Sequence, residues 1–141
     1  MVQQAPPPSF GNAVLATRVI ASDPDLFITE MDFHPGVQDE PGVFDTGALL
    51  GFADGTSTRC AGLNIPADMV PRPFPLSVKF SASVVGQARS GIVRGEARPI
   101  HRERNLVIVE TTVLDADGAK VAIVTTTHVI LPNNAASRTT S

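Results

Sequence analysis

Two groups of residues within one short stretch could do chemistry. In the first, Asp45-Thr46-Gly47, a carboxylate and a hydroxyl stand just before a run with helical spacing, where either can cap the first free N–H groups. The positive end of a helix favours negative charge, so an N–H there can also steady an anion. The second group is Asp54 with Thr58, preceded by Leu50. Positions four apart share a helix face, which places the carboxylate beside a hydroxyl. A carboxylate so held can activate water as a general base or attack an electrophile itself.

Both groups depend on a helix, and the sequence predicts one from about residue 46 to 60. Pro41-Gly42 is a turn signal before it, and Leu49, Phe52, Ala53 and Thr56 recur at helical spacing. Gly47, Gly51 and Gly55 sit one turn apart along it, and each interior glycine costs roughly 1 kcal/mol relative to alanine. Such a helix needs burial, and its glycine line would let another backbone or a ligand approach closely. Asp54 falls on that side, where an unpaired carboxylate is costly and calls for a functional reason. Residues 33–40, broken by Pro35-Gly36, form a loop that brings His34, Gln38, Asp39 and Glu40 to the helix entrance.

The chain has 141 residues, enough for one domain with a real core. The sequence predicts a flexible arm over 1–12, a single domain over 13–132 and a frayed polar tail over 133–141. Net charge is -3, which disfavours nucleic acid as a partner. Cys60 is the only cysteine, which rules out an intramolecular disulfide and a cysteine-based zinc site. The start does not read as a signal peptide and no stretch approaches eighteen apolar residues, so the expectation is a cytoplasmic protein that does not enter the membrane.

Around the helix the sequence reads as strands. Residues 13–21 and 26–32 form a hairpin, stopped by Ser22-Asp23-Pro24-Asp25. Residues 64–75, with four prolines, form an extended connection crossing the domain. Leu76, Val78, Phe80, Ala82 and Val84 alternate with polar positions, which predicts a strand with one buried face. Strands at 92–100, 106–114 and 120–131 follow, joined by 101–105 and by the tight Asp115-Ala116-Asp117-Gly118 turn. Two strands, a helix and a four-strand meander is an α+β layout, an antiparallel sheet curled round one helix. Long strands rich in β-branched residues, exposed at an edge, predict a dimer or larger oligomer.

In this order and spacing, Gly47-Ala48-Leu49-Leu50-Gly51-Phe52-Ala53-Asp54, Pro75-Leu76-Ser77-Val78-Lys79-Phe80 and the final hairpin built on 97–110 and 114–122 resemble the hotdog-fold acyl-CoA thioesterases, in particular the phenylacetate-degradation and 4-hydroxybenzoyl-CoA thioesterase branch. The resemblance covers roughly residues 14–131. It implies a curved antiparallel sheet of five to six strands wrapped around one long central helix. It also implies hydrolysis of a small aryl- or acyl-CoA thioester without a cofactor or metal, by a homodimer or homotetramer. Carried over by position, the catalytic carboxylate falls on Asp54, its supporting hydroxyl on Thr58 and the carbonyl-polarising N–H on Thr46. Where the branch has His-Gly-Gly at the helix entry, this chain has Asp45-Thr46-Gly47, and Gln38 or Asp39 is a candidate to supply the missing polar group. In hotdog dimers the helix entry comes from one subunit and the carboxylate from the other.

Asp45 reads most simply as a cap, with a catalytic role as the sharper alternative. Gly47 and Leu50 are candidate substrate contacts, Leu50 and Phe52 suggest an apolar acyl pocket, and Arg102 and Arg104 could grip CoA phosphates. His34 reads as a surface residue and Cys60 as a packed thiol. Asp45-Thr46-Gly47 also copies the Asp-Thr-Gly of aspartic proteases, but here the motif opens a helix. Phe33-His34-Pro35-Gly36 with Pro41-Gly42-Val43-Phe44 resembles the loop of hotdog 3-hydroxyacyl dehydratases, whose helix glutamate falls on Gly47. A non-catalytic acyl-CoA-binding hotdog protein is the non-enzymatic alternative.

Overall fold

The computed structural model describes residues 16–89 and 91–132. Six strands, β1 (Thr17–Asp23), β2 (Leu26–Asp32), β3 (Leu76–Val84), β4 (Ile92–Glu103), β5 (Leu106–Leu114) and β6 (Lys120–Val129), form one antiparallel sheet in the order β1-β2-β4-β5-β6-β3. The single α-helix among the described residues, α1 (Thr46–Gly62), lies against one face and touches all six strands. This is the expected α+β hotdog architecture, with six strands.

Period-2 alternation builds the face under the helix. Val93, Gly95 and Ala97 of β4, Val107, Val109 and Val113 of β5, and Ala122, Val124 and Thr126 of β6 point inward and are buried. Helix residues Leu49, Phe52, Ala53, Thr56 and Cys60 meet them, as their spacing predicts. Phe52 is fully buried, which contributes roughly 1.5–3 kcal/mol. Its ring belongs to the core and is not part of an acyl pocket, contrary to the expectation from sequence. Thr56 donates to the Phe52 carbonyl (2.9 Å), so in the buried Thr29–Thr56 contact (2.6 Å) Thr29 must be the donor.

At Gly95 the sheet packs tightly against the helix. A Cβ there would lie 3.0 Å from Phe52 Cε2, 3.3 Å from its Cζ and 3.3 Å from Thr56 Oγ1. The ring cannot retreat into solvent, so Gly95→Ala is expected to destabilise the protein by about 1–3 kcal/mol. Urea unfolding checks this: the midpoint should fall with the slope unchanged.

The structure corrects several expectations. The last four strands are not a meander: only β4-β5-β6 are sequential neighbours, β2 pairs with β4, and β3 lies outside β6. Alternation reports which face a side chain takes but not which strand lies alongside. Nor does β3 bury a face. All its residues are exposed save half-buried Ser77, because it is an edge strand, and a bulge between Ser77 and Lys79 puts Leu76 and Phe80 on opposite faces. Strand β1 runs on through Asp23 and turns only at Pro24-Asp25, while residues 13–15 of the expected strand lie outside the described residues. Strand β4 continues through His101 to Glu103, leaving only Arg104-Asn105 as the turn. The Asp115–Gly118 turn forms as expected, with Gly118 at φ +85° and Asp115 Oδ1 accepting from the N–H groups of Asp117 and Ala119. The expected arm (1–12) and tail (133–141) lie outside the described residues.

Candidate active site

The entry of α1 is built by local capping and by the loop before it. Asp45 is the N-cap in extended conformation, and its Oδ2 accepts from Ala48 N–H at 2.9 Å. Its own N–H donates to the Val37 carbonyl at 2.6 Å, and Phe44 N–H donates to Ala88. Those bonds pin the loop that carries exposed Gln38 and Asp39 to the helix start. The first N–H groups of a helix have no intrahelical partner. With the Asp45 carboxylate committed to Ala48, the N–H groups of Thr46 and Gly47 remain free for an incoming acceptor among the described residues. A Cβ on Gly47 would press on Asp45 Oδ2 at 3.0 Å, so this glycine gives the capping carboxylate its room.

The glycine line does not face the sheet. Gly47 and Gly55 are exposed, and nothing lies within 4 Å of a Cβ on Gly55. The helix is buried by its opposite side, and within one protomer no backbone packs on Gly55.

Half-buried Leu50, Asp54 and Thr58 share a flank of α1. Asp54 Oδ1 is buried and has no hydrogen-bond partner among the described residues. Thr58 Oγ1 lies 3.1 Å from Nε2 of His128, a fully buried side chain of β6. The other ring nitrogen, Nδ1, is also buried without a partner. Burial pushes the His128 pKa below the ordinary imidazole value, and the negative charge of Asp54 partly opposes that shift. Sequence reasoning missed His128, seventy positions from Thr58. Its only signal was a histidine at an inward-facing position of a strand that is otherwise apolar and hydroxyl-bearing after Lys120. Beside Thr58 opens a groove of about 460 Å³ whose walls include Phe27, Leu63 and Phe74, with Arg59 and Arg72 at its edge.

The structure therefore assembles Gln38, Asp39, Asp45, Thr46 and Gly47 at one end of the helix, and Leu50, Asp54 and Thr58 along its flank. Along a straight helix Thr46 and Asp54 are separated by about 12 Å, at 1.5 Å per residue. Arg102 and Arg104 lie elsewhere. Arg102 donates to Asp25, and its charge acts on Cys60 near the far end of α1. Arg104 makes a two-point contact with Asp68 at 2.7 and 3.2 Å, which holds the Asp68 carboxyl below its usual range. His34 Nδ1 accepts from Gly36 N–H. Cys60 is the buried, packed thiol expected, and desolvation raises its pKa to about 11. No group of three or more His, Cys, Asp or Glu among the described residues could hold a metal ion, and no helix there is long and apolar enough to cross a membrane.

No family model and no curated protein matches this sequence. Solved structures are similar in fold. A mutant thioesterase from Pseudomonas aeruginosa is 21% identical with a TM-score of 0.79, covering 89% of this chain and 87% of that one. A thioesterase from Haemophilus influenzae is 17% identical with a TM-score of 0.76, covering 85% and 81%. A hypothetical thioesterase protein with coenzyme A from Streptococcus pneumoniae is 11% identical with a TM-score of 0.71, covering 84% and 91%. The architecture is thus the hotdog fold, shared with proteins that carry the name thioesterase.

Proposed function

We propose that this protein is an acyl-CoA thioesterase whose site forms between two copies of the chain. The observation that carries the reading is the buried, unpartnered Oδ1 of Asp54, since a carboxylate oxygen left dry without a donor costs free energy unless it serves a ligand. The N–H of Thr46, at the positive end of α1, would donate to the developing oxyanion of a thioester carbonyl. Asp54 would take a proton from the attacking water, or attack the carbonyl itself. In the first route the hydroxide so formed bonds the carbonyl carbon, and in the second water hydrolyses the resulting acyl-Asp54 anhydride. In both the acyl–sulfur bond breaks and the CoA sulfur leaves with a proton that comes from the water consumed. At about 12 Å apart on one helix, Thr46 and Asp54 cannot both reach one carbonyl, so a second copy would supply the other group. The free edge of β3 is the natural place for that copy to join, giving a homodimer or a larger assembly.

Within this reading Gln38 and Asp39 flank the carbonyl, Leu50 contacts the acyl group beside the flank, and Asp45 remains a cap. Arg102 and Arg104 would exchange their exposed carboxylate partners for CoA phosphates, a small cost because surface ion pairs are worth little. The substrate class of this reading is a small aryl- or acyl-CoA thioester.

A panel of aroyl- and acyl-CoAs, with free CoA read by a thiol reagent, tests the proposal. Release of CoA from at least one of them is expected, with Cys60 silent because its thiolate is scarce at pH 8 and its sulfur is buried. Binding of acyl-CoA without release would favour the non-catalytic protein. Hydration of an enoyl-CoA without release would favour the dehydratase.

A further inference from the structure

Behind the flank of α1 lies a polar contact that the thioesterase reading does not use. His128 sits on the inner face of β6, opposite Val107 of β5 and Ser77 of β3, neither of them ionisable. Its Nε2 lies 3.1 Å from the Thr58 hydroxyl, its Nδ1 meets no partner among the described residues, and the charge of Asp54 acts on the ring. A neutral imidazole carries one N–H, and a buried donor without an acceptor is rarer than a buried acceptor without a donor. The proton therefore belongs on Nε2, where it donates to Thr58 Oγ1, and the unshared lone pair is left on Nδ1.

We propose that His128 is a positioning residue which, by donating Nε2–H to Thr58, leaves the Thr58 hydroxyl proton to serve as a hydrogen-bond donor on the flank of α1 that also carries the half-buried carboxylate of Asp54. A water reaching both groups would be held between a donor and a base. The strand thus orients a group on the helix that periodicity alone would leave free to rotate. Without the imidazole, the Thr58 hydroxyl would bond back to a carbonyl of the preceding helical turn, as threonines in helices commonly do. The inference rests on the thioesterase reading for the fate of that water, but not for the tautomer or the Thr58 contact.

Long-range nitrogen–proton NMR on the full-length protein decides the tautomer, since the chain has only three histidines. His128 is expected to be protonated on Nε2 at neutral pH, with that signal shifted in Thr58→Val. In Asp54→Asn the ring should titrate at still lower pH, because the charge that favours its protonated form is gone. The kinetic arm uses two replacements. His128→Phe is expected to lower turnover roughly tenfold, the scale of one lost hydrogen bond, with little change in KM. His128→Gln, which keeps an N–H donor, should recover most of that loss. In an Asp54→Asn background neither replacement should cost more, because the water has lost its base. Protonation on Nδ1, a Thr58→Val spectrum unchanged at His128, or full turnover in a folded His128→Phe protein would each overturn the inference. If the wild-type protein releases CoA from no substrate, the functional reading fails, while the tautomer and its response to Thr58→Val still decide the role of His128.

Discussion

Asp54→Asn is expected to lower turnover on a thioester by about 10²- to 10⁴-fold, the scale of a lost general base, with acyl-CoA affinity nearly unchanged. Asparagine keeps the shape of the side chain and removes the charge and basicity needed to activate water or attack the carbonyl. Stability should hold or rise slightly, because Oδ1 is buried without a partner and a neutral amide is cheaper to keep dry than a carboxylate. Asp45→Asn makes the contrast. Its Oδ2 serves Ala48 N–H, and asparagine caps a helix about as well as aspartate. Removing a negative charge beside a developing oxyanion should leave turnover unchanged or slightly higher. Steady-state CoA release and thermal melts on both variants check this. Should Asp45→Asn abolish hydrolysis while Asp54→Asn behaves as wild type, the catalytic carboxylate is at the cap.

The second large effect is expected at the sheet edge. Strand β3 leaves Leu76, Val78, Phe80 and Val84 between 40 and 55% exposed, on a strand with hydrogen-bonding groups open along one side. Wild-type protein should therefore scatter light as at least a dimer at micromolar concentration. A Phe80→Lys/Val84→Lys double variant, changed at positions outside the core, should run as a folded monomer. Its hydrolysis should fall by more than about 100-fold, as expected when the oxyanion donors of one copy are parted from the carboxylate of the other. An active wild-type monomer would end the shared-site proposal.

Much of the fold was legible because its signals are local. The Asp45 cap, the apolar spacing of Leu49, Phe52, Ala53 and Thr56, and the Asp-rich turn at Asp115–Gly118 act within a few residues, and each appears as read. The glycine line was misjudged because the helix period groups residues by side without saying which side is covered. The apolar residues, being larger, take the sheet, and Gly55 is left outside. The ion pairs of Arg102 with Asp25 and of Arg104 with Asp68 span 77 and 36 positions, beyond the reach of any local rule.

The sequence by itself determined the number and order of the strands, the single helix between them, and the placement of Asp54 one turn before Thr58, since each depends on periodicity and capping within a short segment. Tertiary structure decided which strands became neighbours. It set β3 outside β6 as a free edge, and it brought His128 under Thr58. The physical reason is the same in both cases. Alternation fixes the face a residue presents, whereas strand order is chosen by which arrangement buries the helix's apolar side against Val93, Val109 and Val124, and that choice is made by the whole sheet at once.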